Sequence, residues 1–445
     1  MSLESLIEKN LKGVKPEVAD NVRDAFSKEV VVDGKRLPSL RESYKDKPEK
    51  VQEALVNTVK IIAENNFSKL DVVVDAFKRD DVRLLFDSYK NKPEVVQSAL
   101  VDVIKYVAFW HFDGLGVVVD AFGKDDVKKL FDSYNGMSDV VQSALVGVIG
   151  DVARLGFGGL GGVVGVFGRN DVKKLFDSYN GMSDIVQERL VKFIGDVAGF
   201  GFGGLSFVVD AFGRNDVERL FEAYNDTSWI VQWYLFGAIE GVIVGGISEL
   251  SGVVGLAVAY KDKSEDMQKT LFGVVRYTAL GNADELDVLV DVFERKEVMG
   301  LFDSYMDKPK EVQEALVGAV VSVAQKDVSF LGDVVKLFEG LVDYDKVGYL
   351  FKVFKGLKKE YFSYAISDFN DCNGNFVNIA EFYFVVGNLD SGLLEASNYI
   401  KVEIGKTFSR LNDDYKQRLY EIINKSFKES GEEGVKNELA RHYQQ

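Results

Sequence analysis

The sequence predicts an all-α chain, organised as a right-handed α-solenoid (superhelix) of about seven three-helix repeats with a period of 45 residues. Three observations carry that reading. The pentapeptide LFDSY stands at Leu85 to Tyr89, Leu130 to Tyr134, Leu175 to Tyr179 and Leu301 to Tyr305, with worn copies ending at Tyr44, Tyr224 and Tyr260. Those seven tyrosines are spaced by 45, 45, 45, 45, 36 and 45 residues, a period at which each helical copy buries its apolar face only by stacking on its neighbours. Five prolines interrupt 445 residues of which 47% are hydrophobic, so apolar material for a continuous helical core is ample.

Taken in order, residues 1–35 read as an N-terminal helical cap, in which KPEVADNVRDAF from Lys15 resembles the later KPEVVQSAL. The array proper spans 36–354. Its clearest copy runs from Phe67 to Phe112: a short helix LDVVVDAF with Ser68 as expected N-cap, then DDVRLLFDSY, whose Val82, Leu85, Phe86 and Tyr89 share one face. A glycine between these two helices in later copies, Gly123, Gly168 and Gly213, suggests a helix end that needs a left-handed residue. A longer helix follows. Pro48, Pro93 and Pro309 stand at its start, replaced by Ser138, Ser183, Ser228 and Ser264, all residues suited to opening a helix. Its apolar stripe is Val96, Ala99, Leu100, Val103, Ile104 and Val107.

The register breaks once. Aligning residues 248–260 with 113–134 leaves nine residues missing where the second short helix belongs, so the first should run almost directly into Lys261. That places a kink between two sub-arrays near 255–264. Beyond Phe354 the repeat fades, and 355–445 is expected to form a C-terminal helical domain, with Asn412 or Asp413 capping a late helix.

This cycle of short helix, glycine break, second helix and longer third helix resembles the armadillo repeat, with HEAT as its looser relative, over roughly residues 36–355. The resemblance is architectural. It implies a concave groove lined by the third helix and suited to extended peptides.

Composition narrows the chemistry. Fifty-four basic against 70 acidic residues give a net charge of -16, which repels phosphate backbones and attracts basic proteins, so no nucleic-acid partner is expected. One cysteine, Cys372, leaves no intramolecular disulfide and no thiol-based zinc site, and the start MSLESLIEKN lacks a basic end followed by an apolar run; a cytoplasmic protein is expected. The most membrane-like window, Trp229 to Tyr260, holds Glu240 and Glu249 and aligns with the repeats, so no membrane span is expected. Catalysis has little to work with: His111 and His442 lie far apart, and aspartates recurring once per copy point to structure, so the chain reads as no enzyme and as needing no cofactor.

Two glycine strings, Gly156, Gly158, Gly161 and Gly199, Gly201, Gly204, fit GxGxxG but follow helices in phase with the repeat, which favours close helix approach over a nucleotide site. The run DFNDCNGNFVNIAEF holds the weak metal candidates Asp368, Asp371 and Asn373; from Asp368 its glycine and glutamate fall at 7 and 14 instead of the calcium-loop positions 6 and 12. Two polar or aromatic features offer partner-binding residues. A glutamine opens every long helix, including Gln97, Gln142, Gln187 and Gln232, either as a ladder for a bound peptide or as a tie to a loop backbone. In one long helix Trp229 replaces the Glu94 position, Trp233 replaces Ser98 and Gly237 replaces Asp102, making a normally polar face aromatic. That face needs cover, either from the chain itself or from a homodimer or partner interface. The leading expectation is a non-enzymatic protein-interaction scaffold for a protein or peptide, with a basic one favoured by charge, and able to self-associate; the alternative is a small-ligand- or calcium-binding regulatory repeat protein.

Overall fold

A computed structural model of the protein describes residues 2–32, 35–155, 159–199, 205–245, 249–281, 284–339, 344–372, 375–386 and 392–443. The fold is all-α apart from one short antiparallel hairpin, Val30–Val32 with Lys35–Leu37, in the stretch read as a helical cap. A β-branched run before Asp33 and Gly34 is a hairpin signal that the repeat reading passed over. The chain forms two compact units, Met1–Asn225 and Asp226–Gln445.

In the N-terminal unit the long helices Glu49–Asn65, Glu94–Trp110, Asp139–Leu155 and Asp184–Gly199 pack side by side in chain order. Two nine-residue helices precede the second of them, Leu70–Lys78 and Asp80–Ser88, and the pattern returns as Leu115–Gly123 and Asp125–Ser133. The C-terminal unit likewise packs Trp229–Gly245, Glu265–Gly281, Lys310–Asp327, Tyr344–Gly356, Phe376–Val386 and Asn398–Phe408 in order. Within 355–445, helices Phe376–Val386 and Asn398–Phe408 extend that side-by-side order. The run Lys310–Glu339 is long and apolar enough to cross a membrane by length and composition; here a 3-10 turn, Val328–Phe330, interrupts it, and Leu316, Val317, Val320 and Val323 are buried within the protein.

The tyrosine of LFDSY does more than fill the core. Its ring is fully buried, edge-on to two phenylalanines: Tyr134 lies 6.3 Å from Phe167 and 5.9 Å from Phe176. Its hydroxyl donates to a carbonyl 33 residues on, Tyr44 to Phe77, Tyr89 to Phe122, Tyr134 to Phe167 and Tyr179 to Phe212 in one unit, Tyr260 to Phe293 and Tyr305 to Phe338 in the other, at 2.8 to 3.1 Å. Each acceptor lies in the last turn of a short helix, where carbonyls have no intrahelical donor. One residue therefore supplies both packing and a polar tie to the next copy, and burial pushes the phenols well above their ordinary pKa.

Two expectations are corrected. Gly168 is right-handed, with φ -72°, and among the described glycines only Gly13, Gly181 and Gly431 have positive φ. The turn between the short helices is made by an extended residue, Lys124, Arg169 or Arg214, preceded in the last two copies by Gly168 or Gly213 outside the helix, so no left-handed residue is needed. Ser68 is not an N-cap either: it sits in the 3-10 turn Phe67–Lys69 and its hydroxyl donates to Asn66. At the register break, Leu250–Tyr260 is a single helix running to Lys261.

Candidate functional site

The long helices of the N-terminal unit line a groove, built of three adjoining hollows of about 420, 500 and 1220 Å³. Lys50, Ala54 and Ile61 begin it; Asp102, Lys105 and Tyr106 continue it; Gly147, Asp151, Asp184, Glu188 and Gly195 close it. Most of these residues sit three, four or seven apart on each helix, which puts them on one face, opposite Leu100, Ile104, Leu145 and Ile149 in the core. The face is concave enough at its start for Lys50 to approach Asp139, two long helices on, at 3.8 Å.

Charge in the groove is uneven. Lys105 pairs with Asp102 at 2.6 Å, and Arg154 lies 3.8 Å from Asp151 and 5.8 Å from the Tyr106 ring centre. The largest hollow is lined by five carboxylates, Asp139, Asp151, Asp184, Glu188 and Asp196, and one lysine, Lys192, which pairs with Glu188, while Lys50 and Arg154 reach Asp139 and Asp151. Along the end of the groove formed by helix C-termini, Tyr106, Trp110 and Leu155 are exposed. Carboxylates beside apolar side chains suit a chain that carries both cations and hydrophobes.

Glycines shape this wall. A side chain at Gly150 would strike Val103, and one at Gly195 would strike Val148. Of the glycine strings, a side chain at Gly161 would meet nothing within 4 Å and one at Gly199 would meet the side chains of Val152 and Val163, while the neighbouring Gly159 and Gly162 approach the backbone of Gly199 and Ala198; Gly156, Gly158, Gly201 and Gly204 lie outside the described residues.

The structure sorts the sequence candidates. Gln97, Gln142, Gln187 and Gln232 are 1 to 4% exposed, so their amides do not present a ladder to a peptide. Their Nε2 atoms donate to turn carbonyls just upstream: Gln97 to Lys92 at 2.9 Å, Gln142 to Met137 at 2.8 Å, Gln187 to Met182 at 2.7 Å and Gln232 to Thr227 at 3.1 Å. The tie is thus to the turn of the same copy. The link to the neighbouring copy comes from serine, since Ser138 donates to Gln187 and Ser264 to Gln313. Where proline replaces that serine, the oxygens of Gln97 and Gln142 have no donor; a lysine pair to the next copy, Lys47 to Asp87 and Lys92 to Asp132, is present there, and Lys263 to Asp303 accompanies the serine tie of Ser264.

Trp229 and Trp233 are 61% and 38% exposed on helix Trp229–Gly245. This helix closes on Glu265–Gly281 through Gly237, Gly241 and Gly245, where an added side-chain carbon would come within 3.1 Å of Arg276 Cδ, 3.1 Å of its carbonyl and 2.2 Å of the Ala279 carbonyl. Arg276, which the sequence reading missed, lies over the Trp233 ring at 5.7 Å. Tyr277 beside it is 78% exposed.

Asp368 is buried and engaged by protein donors, Lys401 Nζ at 2.7 Å and the Tyr383 hydroxyl. Asp371 follows that helix as its C-cap; Asn373 and Gly374 lie outside the described residues. No group of three histidine, cysteine, aspartate or glutamate side chains among the described residues is arranged to hold a metal. No protein-family model matches the sequence, and comparison with the curated proteins finds no relative.

Proposed function

We propose that this chain is a non-enzymatic interaction scaffold of the cytoplasm, a right-handed α-solenoid of the armadillo or HEAT type, whose N-terminal groove holds a basic protein segment. The single observation that carries the reading is the largest hollow, lined by five carboxylates between two long helices, of which three pair with Lys50, Arg154 and Lys192 and the rest leave an acidic excess. A cation entering such a concave wall meets that net negative field, and the on-rate gains most. The fold assignment rests on the tyrosine tie that recurs at 33 residues and on the side-by-side order of the long helices.

The test is affinity capture from the native source with wild-type bait and with Asp184→Lys plus Glu188→Lys bait. Loss of the same co-eluting protein from the charge-reversed bait supports the groove; equal recovery by both contradicts it. A second reading is favoured by the exposed Trp229, Trp233 and Tyr277: a homodimer through that face. Sedimentation of Trp229→Ala plus Trp233→Ala tests it, a folded monomer from a wild-type dimer being the supporting result.

A further inference from the structure

In a chain of net charge -16, the stretch Val347 to Lys359 carries four lysines and no carboxylate. Lys352 and Lys355 stand three apart on helix Tyr344–Gly356 and are exposed, with their ammonium groups over the rings of Tyr349 at 6.0 Å and Phe351 at 5.5 Å and no ion-pair partner among the described residues. Lys358 follows beside Tyr361, at 6.0 Å. Beneath them Lys326 donates to the carbonyls of Phe354, Lys355 and Leu357 at 3.0, 2.6 and 2.8 Å, which cancels the negative end of the helix and holds its last turn in place. The result is a rigid cationic edge with aromatic flanks. It is the chemical complement of the groove in the N-terminal unit, where carboxylates lie beside exposed Tyr106, Trp110 and Leu155.

We propose that copies of this chain associate head to tail, the Lys352–Lys355 edge of one copy seated in the acidic groove of a second. The contact is heterologous, so it propagates into open chains of copies unless the rotation closes a ring. It rests on the reading of the groove as a cation-binding surface, and it makes self-association a competitor of the groove's other partners. Opposite charges on the two surfaces give the association a strong salt dependence.

Sedimentation velocity of the full chain tests this. Wild type is expected to gain mass with concentration at about 0.05 M salt and to return to monomer at about 0.5 M. Lys352→Glu plus Lys355→Glu, or Asp184→Lys plus Glu188→Lys, should each weaken association about tenfold or more. An equimolar mixture of the two variants should associate again, since each offers the surfaces the other lacks, and the quadruple charge swap should do so by itself. Circular dichroism checks that each variant is folded. Wild type that stays monomeric at low salt, or assemblies indifferent to the lysine reversal, overturn the proposal. A labelled oligolysine peptide separates the two readings: if it binds wild type and not Asp184→Lys plus Glu188→Lys while wild type remains monomeric, only the head-to-tail contact fails; if it does not bind at all, the groove reading fails as well.

Discussion

The same helical register produces two different surfaces in the two units. In the N-terminal unit, Asp184, Glu188 and Lys192 line the groove one turn apart, with Asp196 a turn further. One period later those positions are Trp229, Trp233, Gly237 and Gly241. Charges become aromatic rings, and the glycines change partner as well. Gly150 and Gly195 each admit a valine side chain of the preceding long helix, whereas Gly241 and Gly245 admit backbone, the carbonyls of Arg276 and Ala279. A side chain in a hole keeps helices at ordinary spacing; backbone against backbone brings them closer and turns the displaced side chains outward. A repeat array thus changes its surface chemistry without changing its core, because the tyrosine tie is kept by Tyr260 and Tyr305.

The largest contrast between the units should appear in their ion pairs. Lys401 and Asp368 are 4% and 8% exposed, and stranding the carboxylate by Lys401→Met should cost about 3 to 5 kcal/mol in denaturant melts, most of it regained when Asp368→Leu is added. Lys105→Met in the groove, where the partner Asp102 is 61% exposed, should cost under about 1 kcal/mol. Equal costs would remove the distinction between a buried anchor and a solvated wall.

Glycine substitution sharpens the same comparison. Gly245→Ala, with only 2.2 Å to the Ala279 carbonyl, should destabilise by about 1 to 3 kcal/mol. Gly147→Ala meets nothing within 4 Å in the groove wall and should stabilise by about 0.5 to 1 kcal/mol through its helix propensity. Differential scanning calorimetry reads both, and a loss at Gly147 would mean the groove is narrower than the structure shows.

The ties should rank below these. Tyr134→Phe keeps the ring and orphans the Phe167 carbonyl, a cost of about 1 to 2 kcal/mol. Since burial raises the folded pKa of Tyr44, Tyr89, Tyr134, Tyr179 and Tyr260, the unfolded chain gives up its phenol protons first; stability is fully present below about pH 10 and falls as pH rises beyond it. Urea melts from pH 8 to 11 should show that decline, and Tyr134→Phe should lessen it. Ser138→Ala should cost about 1 kcal/mol, since it removes the donor to Gln187 and the cap on Val141; no change on melting would leave the serine tie without energetic weight.

Much of this was legible in the sequence because periodicity reports packing. The spacing of Phe86 and Tyr89, the missing helix before Lys261 and Asn412 as a cap, where its side chain accepts from Tyr415, follow from local pattern. Side-chain direction is harder to read. Gln142 recurs like a ladder, yet which way its amide turns depends on a carbonyl five residues upstream. The pair Asp368 and Lys401 is 33 residues apart with no repeat to announce it, and Arg276 becomes visible only once Gly237 lets its helix approach. Groove acidity is hidden too: Glu188 pairs with Lys192 along one helix and Asp151 with Arg154 along the next, so the excess shows only once Asp139, Asp184 and Asp196 are brought to the same hollow.

The most direct test of the central claim, that the groove and not the faithful repeat carries recognition, is fluorescence anisotropy of one labelled oligolysine peptide against two variants of equal net charge. Asp184→Lys plus Glu188→Lys reverses the groove, and Asp80→Lys plus Asp125→Lys reverses exposed residues at the starts of the short helices. The groove variant should lose binding about tenfold or more while the other stays within about twofold of wild type. Equal losses in both would contradict the claim, because attraction would then follow net charge alone.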